Sequence, residues 1–212
     1  MELKIPNISA SMNGEVDLFE VMKSLEDNPI DRFSWGKVDP APMVCFKIAH
    51  NNKTILLQYD IWETETLARY SNHNAPVCKD SCVEFFIAFE GEQNYYNFEF
   101  NCLGTCHAAW GSDRNNRQLL KSTIINQIQE HTKMQRAIKN GLPLINWQLS
   151  LQFPLNVFSF DDIDGLIGKK ATANFYKCGD DLCQPHFITW NPVKAEKPDF
   201  HLKSHFGRIE FL

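Results

Sequence analysis

The sequence predicts an all-β fold: an antiparallel β-sandwich of the jelly-roll or immunoglobulin-like type with one or two short helices. About eight segments show the apolar-polar alternation of half-buried strands. Short polar turns join several of them, and no long helices lie between, which favours antiparallel pairing. With 212 residues, 43% of them hydrophobic, the chain can bury a sizeable core. We expect a single domain over 1–212, with 1–41 an irregular N-terminal segment.

The first half begins with one candidate helix and two candidate strands. Apolar residues at helical spacing predict a short helix over 16–25. Alternation predicts strands over 44–49 and 54–63, joined by a polar turn at 50–53. Trp62 falls on the outer, wetter face of the second strand. It is either a platform on which a sugar stacks or a strand-end tryptophan covered by a loop.

Residues 80–101 predict a hairpin, and the rest of the chain is interpreted around it. Seven residues alternate onto the core-facing side of its two strands: Val83, Phe85, Ile87, Phe89, Tyr96, Phe98 and Phe100. Glu84, Tyr95, Asn97, Glu99 and Asn101 fall on the other face.

A four-residue loop at 90–93 sets Glu84 directly opposite Glu99. Opposed like charges on a sheet are destabilising, so this register requires a basic side chain, a metal, a shared proton or a hydroxyl-rich ligand. A register slip of two residues would instead leave two ordinary solvated carboxylates.

The segments around the hairpin are less regular. Residues 64–79 predict a long loop, and long loops on a rigid sandwich often carry binding groups. In 102–117, Arg114 and Arg117 either neutralise the glutamate pair or are solvated. Residues 119–128 fit a helix by spacing and a strand by β-branching, so both alternatives stay open.

The second half returns to a β pattern. Alternation predicts strands over 147–153, which Pro154 ends, then 171–178, 186–190 and 207–212.

Composition excludes several partners. The net charge is −5 and no Lys/Arg-rich run occurs, which argues against nucleic acid or an anionic membrane surface. No apolar stretch is long enough to span a bilayer. The N-terminal residues lack an apolar signal region, so we expect a cytoplasmic protein or a mature secreted or periplasmic form.

Seven scattered cysteines do not form the framework of a small secreted domain. Cys178 and Cys183 flank a plausible hairpin turn and would form a disulfide only in an oxidising compartment. Cys102, Cys106 and His107 lack the paired spacing of structural zinc sites, so zinc is the weaker interpretation there.

Six segments, in order, resemble the family 9 carbohydrate-binding modules. They are 80–86, 95–101 with Gly104, 147–154, 173–177, 189–192, and 200–201 with 206–207. The resemblance spans roughly residue 42 to the C-terminus.

This resemblance implies a β-sandwich that holds a terminal saccharide of xylan or cellulose fragments without cleaving it, and that carries structural Ca²⁺. The matching positions imply five sugar-binding residues: Glu84, Glu99, Asn101, Lys177 and Trp190. Where the family has a further tryptophan, this chain has Val77 and Cys78. Three aromatic residues could replace this missing tryptophan as a wall of the sugar site: Trp62, Tyr95 and Trp110. Arg114 is a further candidate for sugar binding.

Two other functions stay open. Glu84 and Glu99 on adjacent strands fit the roughly 5–5.5 Å carboxyl separation of a retaining glycoside hydrolase. A domain with a degenerate sugar site would instead bind a protein partner and expose apolar area where the aromatic wall is missing.

Overall fold

The computed structural model describes residues 1–8 and 18–212. Its strands are β1 (Glu2–Ile5), β2 (Asn28–Pro29), β3 (Met43–His50), β4 (Thr54–Glu63), β5 (Cys82–Phe89), β6 (Tyr95–Asn101), β7 (Cys106–Gly111), β8 (Arg117–Leu119), β9 (Gln129–Lys139), β10 (Leu142–Pro154), β11 (Lys170–Cys178), β12 (Phe187–Thr189) and β13 (Gly207–Phe211). Its helices are α1 (Leu18–Lys23), α2 (Ser122–Ile125) and three short 3₁₀ turns at Val77–Lys79, Leu155–Val157 and Lys203–His205. No helix within these two ranges is long and apolar enough to cross a membrane.

The strands form two sheets, and the predicted antiparallel β-sandwich is confirmed. The larger sheet has the order β1-β13-β11-β5-β6-β7-β8, with β12 also pairing with β11. The smaller sheet has the order β2-β3-β4-β10-β9. Neighbouring strands pair antiparallel except β1 and β13, which are parallel.

The core lies between the sheets and is built from the inward positions that alternation predicts. All seven core-facing residues of the hairpin are buried there. Phe46 of the smaller sheet stacks on Phe175 of the larger, with ring centroids 3.7 Å apart. Each such fully buried phenylalanine contributes about 1.5–3 kcal/mol of hydrophobic free energy, so this aromatic layer holds the sheets together.

The hairpin of β5 and β6 has the expected register, with Glu84 opposite Glu99. Its turn passes through Gly91 at φ 88°, a left-handed conformation that glycine adopts without steric cost. The turn therefore sets which carboxylates meet.

The outer face of the larger sheet differs from the expectation of an open polar surface. Glu84, Asn97 and Glu99 are all buried. Loops before β5 and after β12 pack apolar residues onto this face and form a second hydrophobic cluster with Phe86, Tyr95, Tyr176, Phe200 and Phe206 among its members. These contacts join segments far apart in the chain, which local alternation does not reveal.

The described part of the N-terminal segment 1–41 contributes two short strands and one short helix. Within its described part, β1 extends the larger sheet beside β13 and β2 extends the smaller sheet beside β3. The helix predicted over 16–25 is observed as α1, with residues 16 and 17 outside the described residues.

In several segments, the spacing of apolar residues did not predict the observed secondary structure. Residues 119–128 begin with the last residue of β8, Leu119, and then contain the short helix α2. The strands β7, β8 and β9 were not expected. β9 is polar along most of its length and lies at a sheet edge, where neither face needs apolar residues.

Candidate functional site

A row of four side chains crosses the outer face of the larger sheet. Tyr176 of β11 pairs with Glu84 of β5, Glu84 with Glu99 of β6, and Glu99 with His107 of β7. Cross-strand partners share a face of the sheet, so the four side chains lie side by side.

Loops close around this row and leave a pocket of about 240 Å³. Glu84, Glu99 and His107 lie at its floor with Cys178 of β11. The surrounding loops contribute, among others, Cys78, Arg114, Arg117, Asp180, Phe200 and His201.

Asp80 anchors the loop that brings Cys78 to this pocket. Its carboxylate accepts hydrogen bonds from the backbone N–H groups of Arg69 and Tyr70, at 3.0 and 3.1 Å. It also accepts one from Asn101 Nδ2 at 3.0 Å. Asp80 is completely buried, so these bonds both satisfy its oxygens and fix the loop.

The two glutamates have different partners. Glu99 Oε1 lies 3.6 Å from Arg117 Nη1 and accepts a hydrogen bond from Asn97 Nδ2 at 3.0 Å. Glu84 Oε1 accepts a hydrogen bond from the Cys178 thiol at 3.1 Å. Burial and, second, the Glu99 carboxylate raise the pKa of Glu84 well above its usual 4.5, which favours its protonated form. A basic side chain and a retained proton thus compensate the opposed pair.

Two histidines and an aromatic ring complete the pocket. His201 Nδ1 and the Tyr95 hydroxyl are 2.8 Å apart, and burial, then Arg117, lowers the pKa of His201 to about 3. Within the described residues, the two ring nitrogens of His107 have no hydrogen-bond partner although they are shielded from solvent. Phe200 stacks on Tyr176 at 4.1 Å. The pocket therefore combines hydrogen-bonding groups with an apolar ring.

Among the residues expected to bind a ligand, Glu84, Glu99 and Arg114 line this pocket. Arg114 also pairs with Asp199 at 3.4 Å. From the sequence, Arg117 was expected only as a neutralising or solvated charge, His107 only as a weak candidate zinc ligand, and His201 only as part of a segment that resembles the family. These three side chains meet in the pocket because of the paths that the loops take. The only sequence feature that pointed to the site was the register that sets Glu84 opposite Glu99.

Two other candidate sugar-binding residues, Asn101 and Tyr95, do not line this pocket. Asn101 is fully buried; its amide donates to Tyr70 O and Asp80, and its Oδ1 accepts from the N–H groups of Leu103 and Thr105. Tyr95 is buried in the second hydrophobic cluster and reaches the pocket only through His201. Asn101 therefore holds the loop at Tyr70 and Asp80, and Tyr95 holds His201.

Lys177 and Trp190 lie between the two sheets, away from this pocket. Lys177 points between the sheets, where its Nζ is 2.9 Å from Glu63 Oε2. Trp190 is 5% exposed and packs edge-on against Phe46 and Phe175 in the core. Neither can wall this pocket, because side chains at these positions face inward.

The other two candidate tryptophans lie elsewhere. Trp62 is on the outer face of the smaller sheet, with Lys139 Nζ 4.2 Å from its ring centroid. Trp110 packs against the main core and stacks on Phe160 at 4.4 Å. Val77 is fully buried, so Cys78 is the residue that occupies the pocket wall at the position of the expected tryptophan.

The next features are the free cysteines and the side chains that could hold a metal ion. Cys178 and Cys183 are free thiols and are not joined. In the described part of the chain, the only compact group of three possible metal-binding side chains is Cys82, Glu84 and Cys178. Calcium prefers an all-oxygen site, so this group does not suit it, and structural Ca²⁺ stays a prediction.

The fold and pocket define a β-sandwich binding module with a small polar site on the outer face of one sheet. The model of carbohydrate-binding family 9 matches residues 15–211, and the chain belongs to this family. A search of curated proteins found no match.

Solved structures share the fold. A Bacteroides uniformis ATCC 8492 protein, described as a "putative carbohydrate-binding protein", is 30% identical over 100% of this chain and 99% of its own, with a TM-score of 0.88. A family 9 module of Caldicellulosiruptor kristjanssonii in complex with glucose is 12% identical, and the match covers 100% of this chain and 96% of that module, with a TM-score of 0.60. A family 9 module of the same organism in complex with cellotriose is 13% identical, and the match covers 100% of this chain and 93% of that module, with a TM-score of 0.65.

Proposed function

We propose that the pocket binds one terminal sugar ring of a plant-type polysaccharide, such as a xylan or cellulose fragment, without cleaving it. The observation that carries this proposal is the opposed pair Glu84 and Glu99 at the floor of a pocket of about 240 Å³. Sites for drug-sized ligands begin at about 300 Å³, so this pocket suits a single ring.

The chemistry of the lining supports a polyhydroxylated ligand. The Glu99 carboxylate accepts hydroxyl hydrogen bonds, Arg117 donates them, and the unpartnered ring of His107 offers one of each. Phe200 supplies an apolar surface for the C–H groups of the ring. The complexes of two structural relatives with glucose and cellotriose agree with this ligand class.

Titration calorimetry tests the proposal. Glucose, xylose, cellobiose and xylotriose are titrated into the wild-type protein with calcium or chelator present. We expect saturable binding that Glu99→Gln weakens about 10- to 150-fold, which corresponds to a charged hydrogen bond of about 1.5–3 kcal/mol. Glu26→Gln, a change at an exposed glutamate, is the matched control and leaves affinity unchanged. No saturable binding of any sugar at millimolar concentration would contradict the proposal and direct attention to a protein partner.

A glycoside hydrolase is the second candidate, and one observation favours it. The raised pKa of Glu84 keeps a proton beside a second carboxylate, which is the arrangement of a general acid and its partner. Release of reducing ends from the same sugars, lost in Glu84→Gln, would establish catalysis. Binding without such release supports the proposed function.

A further inference from the structure

Two thiols and a carboxyl group meet beneath the floor of the pocket. Cys82 of β5 and Cys178 of β11 are directly opposed in the antiparallel pair. Glu84 lies two residues further along β5 and therefore points to the same face. The Sγ atoms and one carboxylate oxygen all lie within 4.8 Å of one another, and Cys178 Sγ is 3.1 Å from Glu84 Oε1.

We propose that Cys82, Cys178 and Glu84 form a binding site for a soft or borderline divalent cation such as Zn²⁺. Thiolates select such cations over Ca²⁺ and Mg²⁺, which prefer oxygen. Zinc takes sulfur at about 2.3 Å and carboxylate oxygen at about 2.0–2.2 Å. Small side-chain rotations bring the three groups to these distances, because two of them already lie within hydrogen-bond reach.

The surroundings supply a route for the ion and a place for its fourth ligand. Cys178 and Glu84 line the pocket, so a cation arrives from solvent without opening the fold. Cys78 lines the same pocket as Glu84 and Cys178, so its thiol or a water molecule would supply the fourth ligand. Cys82 and Cys178 are 0% and 1% exposed, which keeps competing water away from the sulfurs.

The charge balance is favourable for a divalent ion. Binding one Zn²⁺ to two thiols and one carboxylic acid releases three protons and leaves a net charge of −1 on the centre. Arg117, beside Glu99, lies on the same face as this charge, and Lys177 Nζ, on the opposite face of the sheet, is bonded to Cys178 O at 2.9 Å. The site goes beyond sugar binding and shares with it only Glu84, so cation and sugar compete for that side chain.

Cadmium titration of the protein tests the site, after treatment with reductant and chelator. Cd²⁺ reports thiolate coordination through an ultraviolet charge-transfer band. We expect this band to saturate at one cadmium per chain, with affinity at least about 10-fold weaker in Cys82→Ser and in Cys178→Ser. Cys45→Ser, at a thiol on the smaller sheet, is the matched control and leaves the titration unchanged. An unchanged titration in both pocket variants would overturn the proposal.

X-ray absorption of the zinc-loaded wild-type protein decides the matter if either variant fails to fold. Two sulfur neighbours at about 2.3 Å support the site, whereas a shell of nitrogen and oxygen alone overturns it. Neither measurement uses a sugar. A negative result for the metal site therefore does not contradict sugar binding, and a negative result in the sugar titrations does not contradict the metal site.

Discussion

Glu84 and Glu99 face each other directly across β5 and β6, at the floor of a pocket that loops form over the outer face of the larger sheet. Arg117 stabilises the charge of Glu99, while Glu84 accepts a thiol hydrogen bond and has a raised pKa. The pair therefore stores one proton in a pocket, and this arrangement costs stability whenever Glu84 ionises.

Changing Glu84→Gln should make stability less dependent on pH. The folded pKa of Glu84 lies above its unfolded value near 4.5. Between these values the unfolded chain binds fewer protons, so the contribution of Glu84 to stability falls as pH rises, by up to about 1.4 kcal/mol per pH unit. Urea unfolding between pH 4.5 and 8, with chelator present, should show Glu84→Gln gaining stability relative to the wild type as pH rises, whereas the exposed-site control Glu26→Gln keeps a constant difference from the wild type. Parallel curves for all three proteins would refute it.

The buried pair of Lys177 and Glu63 predicts a large loss of stability without loss of sugar affinity. Lys177→Met leaves Glu63 buried without its cation, at a cost of about 3–5 kcal/mol. The double variant Lys177→Met/Glu63→Gln should recover part of this loss, since the new amide oxygen would still accept the bond that Trp147 Nε1 donates to Glu63 at 2.6 Å. Denaturant unfolding measures both. A specific fall in sugar affinity in the folded single variant would instead support a direct contact.

Trp190 should behave as a core residue. Trp190→Ala removes a ring packed between the sheets and should cost about 3–5 kcal/mol, measured by thermal or urea unfolding. Trp62→Ala, at a partly exposed ring, is the comparison and should cost no more than about 1 kcal/mol, the value of an exposed cation–π contact. If Trp62→Ala reduced sugar affinity in calorimetry while Trp190→Ala did not affect stability, these placements would be wrong.

His186 and His201 should each lower the stability of the fold in mild acid. The pKa of each is lowered to about 3, chiefly by burial and then by Lys177 for His186 and Arg117 for His201. Below the unfolded value of 6.5 the unfolded chain binds more protons at these two residues, so their contribution to stability falls as pH decreases from 6.5 to 5. His201→Gln should reduce this slope by up to about 1.4 kcal/mol per pH unit. The exposed control His131→Gln should retain it, and equal slopes in all three proteins would exclude the effect.

Cys78→Trp should strengthen sugar binding. Cys78 lines the pocket at the position where the resemblance places a tryptophan. An added aromatic face is worth about 0.5–1.5 kcal/mol, or about 2- to 12-fold in affinity. Calorimetry with glucose and cellobiose measures the change. Weaker binding in a folded variant would mean that the larger ring fills the site.

The candidate site was only partly predictable from residues near each other in the chain. Strand period and loop length placed Glu84 opposite Glu99, because backbone hydrogen bonding fixes the register once the turn is known. The same period assigns Lys177 and Trp190 to the inward face, yet the family resemblance suggested a sugar-binding role for both. The structure places both side chains inward, and their role in sugar binding stays a prediction.

The sequence by itself determined the two-sheet class, the core of the central hairpin and the opposition of two glutamates, since these follow from alternation over short segments. Only the tertiary structure decided that loops cover the outer face of the larger sheet and bring Arg117, His107 and His201 to the pair. It also placed Cys178 beside Cys82, although the two lie far apart in sequence. Contacts of this kind depend on how separate segments pack, and that packing is set by the whole buried interior rather than by any local pattern.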